Sequence, residues 1–127
     1  MDNLKRTLDR YAGLEFQSSA SETFEFCIFN KRLKSAMQAD IKEHFPNLEI
    51  SAWTKGHFYI SGFITRKTDG AIFYFNIEDV RGIDVSNNLI LYRSARNFKD
   101  CVGGINRYCM AWELLEKINN GRCEFAE

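Results

Sequence analysis

The strongest constraint on the fold is a central stretch, residues 48 to 95, in which apolar side chains tend to recur at every second position. This is the period of half-buried strands, and short polar or glycine-containing turns divide the stretch. The Asp69-Gly70 pair is the strongest hairpin signal in the chain, because both residue types accept the backbone angles of a tight turn. The pattern therefore predicts a four-stranded antiparallel meander with strands at residues 48–53, 57–65, 71–79 and 88–95.

Apolar residues at helical spacing precede this meander. The first set predicts a helix over residues 2–12 that stops at Gly13. The second set predicts a helix from about Lys31 to Phe45, with Asn30 as its N-cap and Pro46 beyond its end.

The remaining segments complete the predicted fold. Residues 23–29 alternate phenylalanine and isoleucine with other residues and predict a further strand, after a polar link at residues 18–21. The spacing from Cys101 to Leu115 predicts a C-terminal helix that stops at Asn119-Asn120-Gly121. Strands grouped between helices indicate one α+β domain over residues 1–127, with a four- to five-stranded antiparallel meander sheet packed with two to three helices.

Two of the predicted strands are apolar on both faces. In the strand at residues 57–65, one face carries Phe58, Ile60 and Ile64, and the other carries Tyr59 and Phe63. In the strand at residues 71–79, one face carries Phe73, Phe75 and Ile77, and the other carries Ile72 and Tyr74. Such strands must be covered on both sides, or they present apolar surface to a partner. Two alternatives are open at this point: three helices could cover both faces, or one face could serve for binding.

Charge and cysteine usage limit the function classes. Lys and Arg number 17, and so do Asp and Glu, so no overall field directs the protein to nucleic acid or a membrane. The charges of residues 31–43 fit a solvated helix face. The N-terminus lacks the apolar core of a signal peptide, and the longest apolar run, residues 71–75, is too short to span a bilayer. We expect a cytoplasmic protein with reduced thiols and no membrane contact. We also expect no cofactor and no metal, because the cysteines and histidines show no recognisable metal-ligand spacing.

The segment NFKDCVGGINRYC, residues 97–109, holds the densest group of candidate polar contacts. A helix beginning behind Gly103-Gly104 would offer free backbone N–H groups to an anion. Nearby basic residues, which could add charge-assisted hydrogen bonds, are Arg93, Arg96, Lys99 and Arg107. Neither common phosphate-loop motif is present. Two structural alternatives stand beside the anion site: Asn97 caps a helix that runs through the glycines, or a sheet strand passes close to them.

The segment KGHFYISGF, residues 55–63, resembles in part the RNA-recognition signature, in which Lys/Arg-Gly precedes aromatic residues on a central strand. It departs from that signature at His57, Phe58 and Gly62, and the strand order also differs. The segment supports only a general aromatic binding surface formed by Trp53, His57 and Tyr59.

Known catalytic motifs are absent from the sequence, and we predict no catalytic residues. A cysteine–histidine pair could form from Cys101 or Cys109 and His57, which leaves a small cysteine-dependent enzyme as one alternative. A nucleic-acid-binding domain that uses the sheet aromatics and the basic stretch 93–107 is a second alternative.

The leading hypothesis is a small non-enzymatic domain that binds a protein partner by direct contact. Small cofactor-free proteins of this composition include inhibitors of host systems encoded by phages and mobile elements, anti-CRISPR proteins among them. The analogy concerns composition and carries over no residue. The predicted binding residues are Trp53, His57, Tyr59, Arg93, Arg96, Lys99 and Arg107.

Overall fold

The computed structural model describes residues 2–16 and 20–125, which form three α-helices and one five-stranded antiparallel sheet. The elements in chain order are α1 (Asp2–Asp9), α2 (Ala20–His44), β1 (Leu48–Lys55), β2 (Ile60–Arg66), β3 (Ala71–Ile77), β4 (Leu89–Ala95), β5 (Arg107–Met110) and α3 (Leu114–Asn120). Short 3-10 helices, Val85–Asn87 and Ala111–Glu113, precede β4 and α3. The strand order β1-β2-β3-β4-β5 confirms the predicted α+β meander.

The turn between β2 and β3 is the one that the sequence predicts. Gly70 has a φ of 74°, in the left-handed region that favours glycine. Its N–H donates to the Arg66 carbonyl at 2.8 Å, and the Asp69 carboxylate accepts the Ala71 N–H at 3.1 Å. These contacts fix the register of the two central strands.

The first strand departs from simple alternation. Its pairing with β2 shifts between Ile50 and Ala52, which leaves Ser51 as the extra residue of a β-bulge. As a result, Trp53 packs on the same side as Ile50, and Ala52 turns to the opposite side. The two-residue alternation predicted for the strand at residues 48–53 is therefore wrong beyond Ile50.

The strand predicted at residues 23–29 is wrong, because this segment belongs to α2. The helix buries Phe26, Phe29, Leu33 and Met37, which are three or four residues apart, and leaves Phe24 65% exposed. A short run of alternating apolar residues fits both the two-residue period of a strand and the 3.6-residue period of a helix. Packing against the sheet favours the helix here. Residues 18 and 19 of the predicted polar link lie outside the described residues, and residues 20 and 21 are already helical.

Asn30 lies inside α2 and does not cap it. Its Oδ1 accepts a hydrogen bond from Trp53 Nε1 at 2.8 Å, which ties the helix to β1. The helix ends at His44, before Pro46, as predicted.

The helix predicted from Cys101 is also wrong over most of its length. Residues 97–106 are not helical, residues 107–110 form β5, and α3 begins only at Leu114. Strand pairing explains the difference, because Cys109 lies opposite Ile90 of β4 and is buried in the core. Two adjacent glycines also weaken a helix at this point.

All three helices pack on one side of the sheet, which we call the inner face. The strands contribute Ile60, Ile64, Phe73, Phe75 and Ile77 to it. The helices add residues from Leu4 in α1 to Ile118 in α3 to the same cluster of buried side chains. Aromatic rings fill its centre, with centroid distances of 5.5 Å for Phe16–Phe26, 5.2 Å for Phe26–Phe58 and 4.7 Å for Tyr11–Phe29.

Two charged side chains fasten α1 and α3 to this framework. The fully buried Asp40 carboxylate of α2 accepts the backbone N–H groups of Asn3 at 3.1 Å and Leu4 at 2.8 Å, at the N-terminus of α1. Arg66 Nη1 donates to the carbonyls of Ile118 and Gly121, both at 2.7 Å, at the end of α3. Its other nitrogens bind Asp69, and this contact lowers the pKa of the Asp69 carboxyl to about 2.

Replacement of Asp40 by alanine is expected to lower the free energy of unfolding by about 1 to 3 kcal/mol, because it leaves buried N–H groups of α1 without an acceptor. Burial raises the pKa of Asp40, but the hydrogen bonds from Leu4 and Asn3 together hold that pKa below its ordinary value of 3.8. The carboxylate therefore stabilises the fold above that pH, and the contribution disappears as the pH falls below it. Urea unfolding of wild type and D40A from neutral to acid pH measures both effects.

The matched control is Glu43→Ala, since Glu43 is an exposed acidic residue on the same helix. It should change the unfolding free energy by less than about 0.5 kcal/mol. Equal losses in D40A and E43A would contradict the assigned role of Asp40.

Candidate functional site

The side of the sheet opposite the helices, which we call the outer face, carries a second and smaller apolar cluster. Phe63, Tyr74 and Ala95 are buried there, and Ala52 and Ile72 pack against them. No helix of the described chain contributes to this cluster. The alternative in which three helices cover both faces is therefore wrong.

The centre of the outer face is closed by its own side chains and by the loop after β4. The Arg93 guanidinium lies 5.7 Å from the centre of the Tyr74 ring, and the Phe98 ring lies 6.1 Å from that of Phe63. These contacts leave Phe63 only 7% and Tyr74 only 9% exposed, while Phe98 itself is 52% exposed.

A second part of the outer face is covered less completely: Leu91 is buried there, but the large side chains around it are exposed. Ser61, Asn76, Leu91 and Tyr108 lie opposite one another on four successive strands. We call this set the outer row, together with its neighbours Tyr59 and Leu89. Tyr108 is 58%, Leu89 62% and Tyr59 40% exposed. Helical spacing wrongly predicted Tyr108 on a helix, and Leu89 was not among the predicted binding residues. The alternation in residues 88–95 nevertheless puts Leu89 and Leu91 on one face.

Asn76 lies in the middle of the outer row and has an unusual environment. Its Oδ1 is buried and accepts no hydrogen bond from the described residues. The Nε of Arg93, also on the outer face, is a buried donor that finds no acceptor within the described part of the chain. Buried polar atoms are nearly always paired, so these two atoms are exceptions among the described residues.

The loop of residues 96–104 does contain an anion site, but the chain's own Asp100 fills it. The Asp100 carboxylate accepts the N–H groups of Arg96 at 2.9 Å, Val102 at 3.3 Å and Gly103 at 2.6 Å. These hydrogen bonds, led by that from Arg96, lower the pKa of Asp100. Asn97 caps no helix, and its side chain instead accepts the Lys99 N–H at 2.8 Å in a local turn.

Gly104 supports the other structural alternative, a close passage of two backbones. A Cβ at this position would lie 2.1 Å from the Ser94 carbonyl oxygen of β4. The C-terminal segment runs along the other side, where Gly104 pairs with Phe125 and the Ile105 N–H donates to the Glu124 carbonyl at 3.0 Å. The prediction that a strand passes close to the glycines is confirmed for Gly104.

The four basic residues predicted as one patch do not converge. Arg93 lies on the outer face, whereas Arg107 pairs with Tyr92, which belongs to the inner face. Arg107 also forms an ion pair with Glu124, and that contact raises the pKa of Arg107. Arg96 Nη1 lies 3.7 Å from Asp100, and Lys99 is exposed.

The three residues of the predicted aromatic surface, Trp53, His57 and Tyr59, do not all lie together either. Trp53 packs toward the inner face, between Asn30 and Phe75, with its ring centroid 5.7 Å from that of Phe75. His57 and Tyr59 line a shallow pocket of about 310 Å³ with Asn76, Glu78 and Asp79. The structure therefore does not form the continuous aromatic surface expected from residues 55–63.

The thiols differ sharply in environment. Cys109 is buried, and burial raises the pKa of its thiol to about 12. It therefore stays protonated at neutral pH, which is the opposite of an activated nucleophile. Cys101 and Cys123 are exposed, and Cys27 is half-buried.

The side chains of Asp40, Glu43 and His44 bring ligand atoms to within 4.8 Å of one another. The Asp40 oxygens, however, already accept hydrogen bonds at the N-terminus of α1. We therefore assign Asp40 to the capping of α1.

No protein-family model matches the chain, and neither the curated proteins nor the solved structures contain a significant match. Among the described helices, none combines the length and the apolar character needed to cross a membrane.

Replacement of Asp100 by alanine should loosen the loop of residues 96–104 without unfolding the sheet. Amide hydrogen exchange at Arg96, Val102 and Gly103 is expected to accelerate on the order of tenfold, because these N–H groups lose their acceptor. Since the pKa of Asp100 is lowered, acidification below its ordinary value should lower the protection factors of the same amides in wild type, once the pH dependence of intrinsic exchange is taken into account. Unchanged exchange in D100A would show that other contacts hold the loop.

Thiol labelling at neutral pH tests the assignment of the cysteines. Cys101 and Cys123 should react rapidly with an aromatic disulfide reagent, whereas Cys109 should react only through opening of the core. Mass spectrometry of the labelled peptides distinguishes the sites, and the denatured protein is the control. Rapid labelling of Cys109 in the folded protein would contradict its burial.

Proposed function

We propose that the protein is a non-enzymatic domain that binds a protein partner through the outer row. The observation that carries this proposal is the group of exposed large side chains, Tyr59, Leu89 and Tyr108, on one part of the outer face. Tyr108 and Leu89 lie on adjacent strands and would lose most of their exposed area on contact.

The same residues indicate what the partner surface must offer. An apolar patch would cover the exposed side chains of Leu89 and Tyr108. A carboxylate or carbonyl oxygen could accept from the half-buried Arg93 guanidinium at the neighbouring position on the outer face. A protein surface provides these groups together, which favours a protein partner.

The charges give less support to a nucleic-acid interface in the stretch 93–107. Arg96 and Arg107 face Asp100 and Glu124, so fewer cations of this stretch are free to replace counterions on phosphates. The cysteine-dependent alternative loses Cys109 as an activated thiol. The narrower hypothesis, inhibition of a host system by a phage or mobile-element protein, rests on composition alone and stays a prediction.

The double variant Leu89→Ser/Tyr108→Ser tests the proposed surface. The tagged protein is used to recover partners from lysate, with and without nuclease, and binding of the recovered partner is then measured with purified components. We expect the partner to survive nuclease treatment and the variant to bind at least tenfold more weakly, since exposed aromatic and leucine anchors each contribute about 1 to 2 kcal/mol.

The matched control is Leu14→Ser/Phe24→Ser, because both residues are exposed and lie outside the outer face. It should bind as wild type does. A partner that binds both double variants equally would contradict the outer row as the interface. Recovery only of partners that disappear with nuclease would replace the proposal by nucleic-acid binding.

A further inference from the structure

A basic groove runs along the seam between α1 and α2. It has a volume of about 390 Å³, and its lining includes Thr7, Arg10, Lys31, Arg32, Ser35 and Ala36. The floor contains the small side chain of Ala36, which is buried, and this lets a ligand approach the helices closely. Arg10, Lys31 and Arg32 are exposed, so their charged groups can reach a ligand in the groove.

The three cations of this groove have no acidic partner within the described part of the chain. The ion pairs there involve other basic residues, such as Lys5 with Asp9 at 3.8 Å on α1. Arg32 Nη1 donates to the neutral Tyr11 hydroxyl at 3.3 Å, which leaves the positive charge uncompensated. The acidic groups nearby are otherwise engaged: Asp40 caps α1, and Glu43 lies beside His44.

The chemistry of the lining selects the class of ligand. Guanidinium and ammonium groups donate charge-assisted hydrogen bonds, and arginine matches the oxygens of a phosphate with two parallel donors. The hydroxyls of Thr7 and Ser35 provide further donors on the same groove. Three cations line one groove, and no carboxylate of the described chain neutralises them there. Such a groove fits a multiply charged anion better than a ligand with a single carboxylate.

We propose that the groove between α1 and α2 is a binding site for a phosphate-bearing ligand. It lies in the helical layer, away from the outer row, so this site and the proposed protein interface are independent. It also differs from the stretch 93–107, in which the structure pairs two of the four cations with acidic residues.

The test uses the full chain at low salt and pyrophosphate as the probe. Two-dimensional NMR titration should shift the amide signals of residues around Thr7, Arg10 and Ser35. The double variant Arg10→Gln/Arg32→Gln is expected to weaken binding at least tenfold, because it removes two of the three cations. Because Arg32 also contacts Tyr11, its replacement removes an internal contact as well as a charge. Lys31→Gln is therefore a second variant, since the Lys31 side chain has no hydrogen bond or ion pair to the described residues.

The matched control, Arg6→Gln/Lys42→Gln, removes the same net charge from exposed positions of the same two helices outside the groove. It should alter binding by less than twofold. Equal weakening by both double variants would indicate diffuse electrostatic attraction and would overturn the site, as would the absence of groove shifts.

A second arm identifies the source of the phosphate. A short single-stranded oligonucleotide that binds wild type and is lost in Arg10→Gln/Arg32→Gln would assign the groove to nucleic-acid phosphates. Pyrophosphate binding without oligonucleotide binding would assign it to a free phosphorylated compound. If neither probe responds to the groove variants, the proposal is wrong.

Discussion

The packing of α2 across the inner face of the sheet is the contact on which the rest of the structure depends. Phe26, Phe29 and Leu33 of this helix are buried against the apolar side chains of the central strands. Burial of each such side chain contributes about 1.5 to 3 kcal/mol. Because α1 and α3 join the same cluster, and are held by Asp40 and Arg66, all three helices are used on one side of the sheet.

The outer face must therefore be closed without a helix, and the structure achieves this only in part. Phe63 and Tyr74 are covered by Phe98 and Arg93, which depends on the loop of residues 96–104 folding back over the sheet. Internal contacts of the Asp100 carboxylate hold that loop. In the row from Tyr59 to Tyr108, Leu91 is buried, but Tyr59, Leu89 and Tyr108 stay exposed. These three side chains form the surface available to a partner.

The sequence was sufficient for the meander because strands with period-two alternation and an Asp69-Gly70 turn leave few arrangements open. The sequence was insufficient in residues 23–29, where the periods of a strand and of a helix fit the same residues. It was also insufficient at Cys109, where pairing with Ile90 of β4 overrides the helical spacing. The predicted binding residues lie apart in the structure for a related reason. Arg107 is neutralised by Glu124, and Trp53 is turned inward by the bulge at Ser51, and neither effect is visible in local sequence.

The distribution of charge gives the two proposed surfaces distinct chemistry. The chain has equal numbers of basic and acidic residues, so its surfaces differ in charge only through the way the two signs are distributed. Asp100 and Glu124 neutralise cations of the 93–107 stretch, whereas the groove of Arg10, Lys31 and Arg32 keeps its charge. The apolar outer row and the basic groove lie on different layers of the fold. A partner seated on the sheet therefore leaves the groove open, and the two sites can be occupied at once.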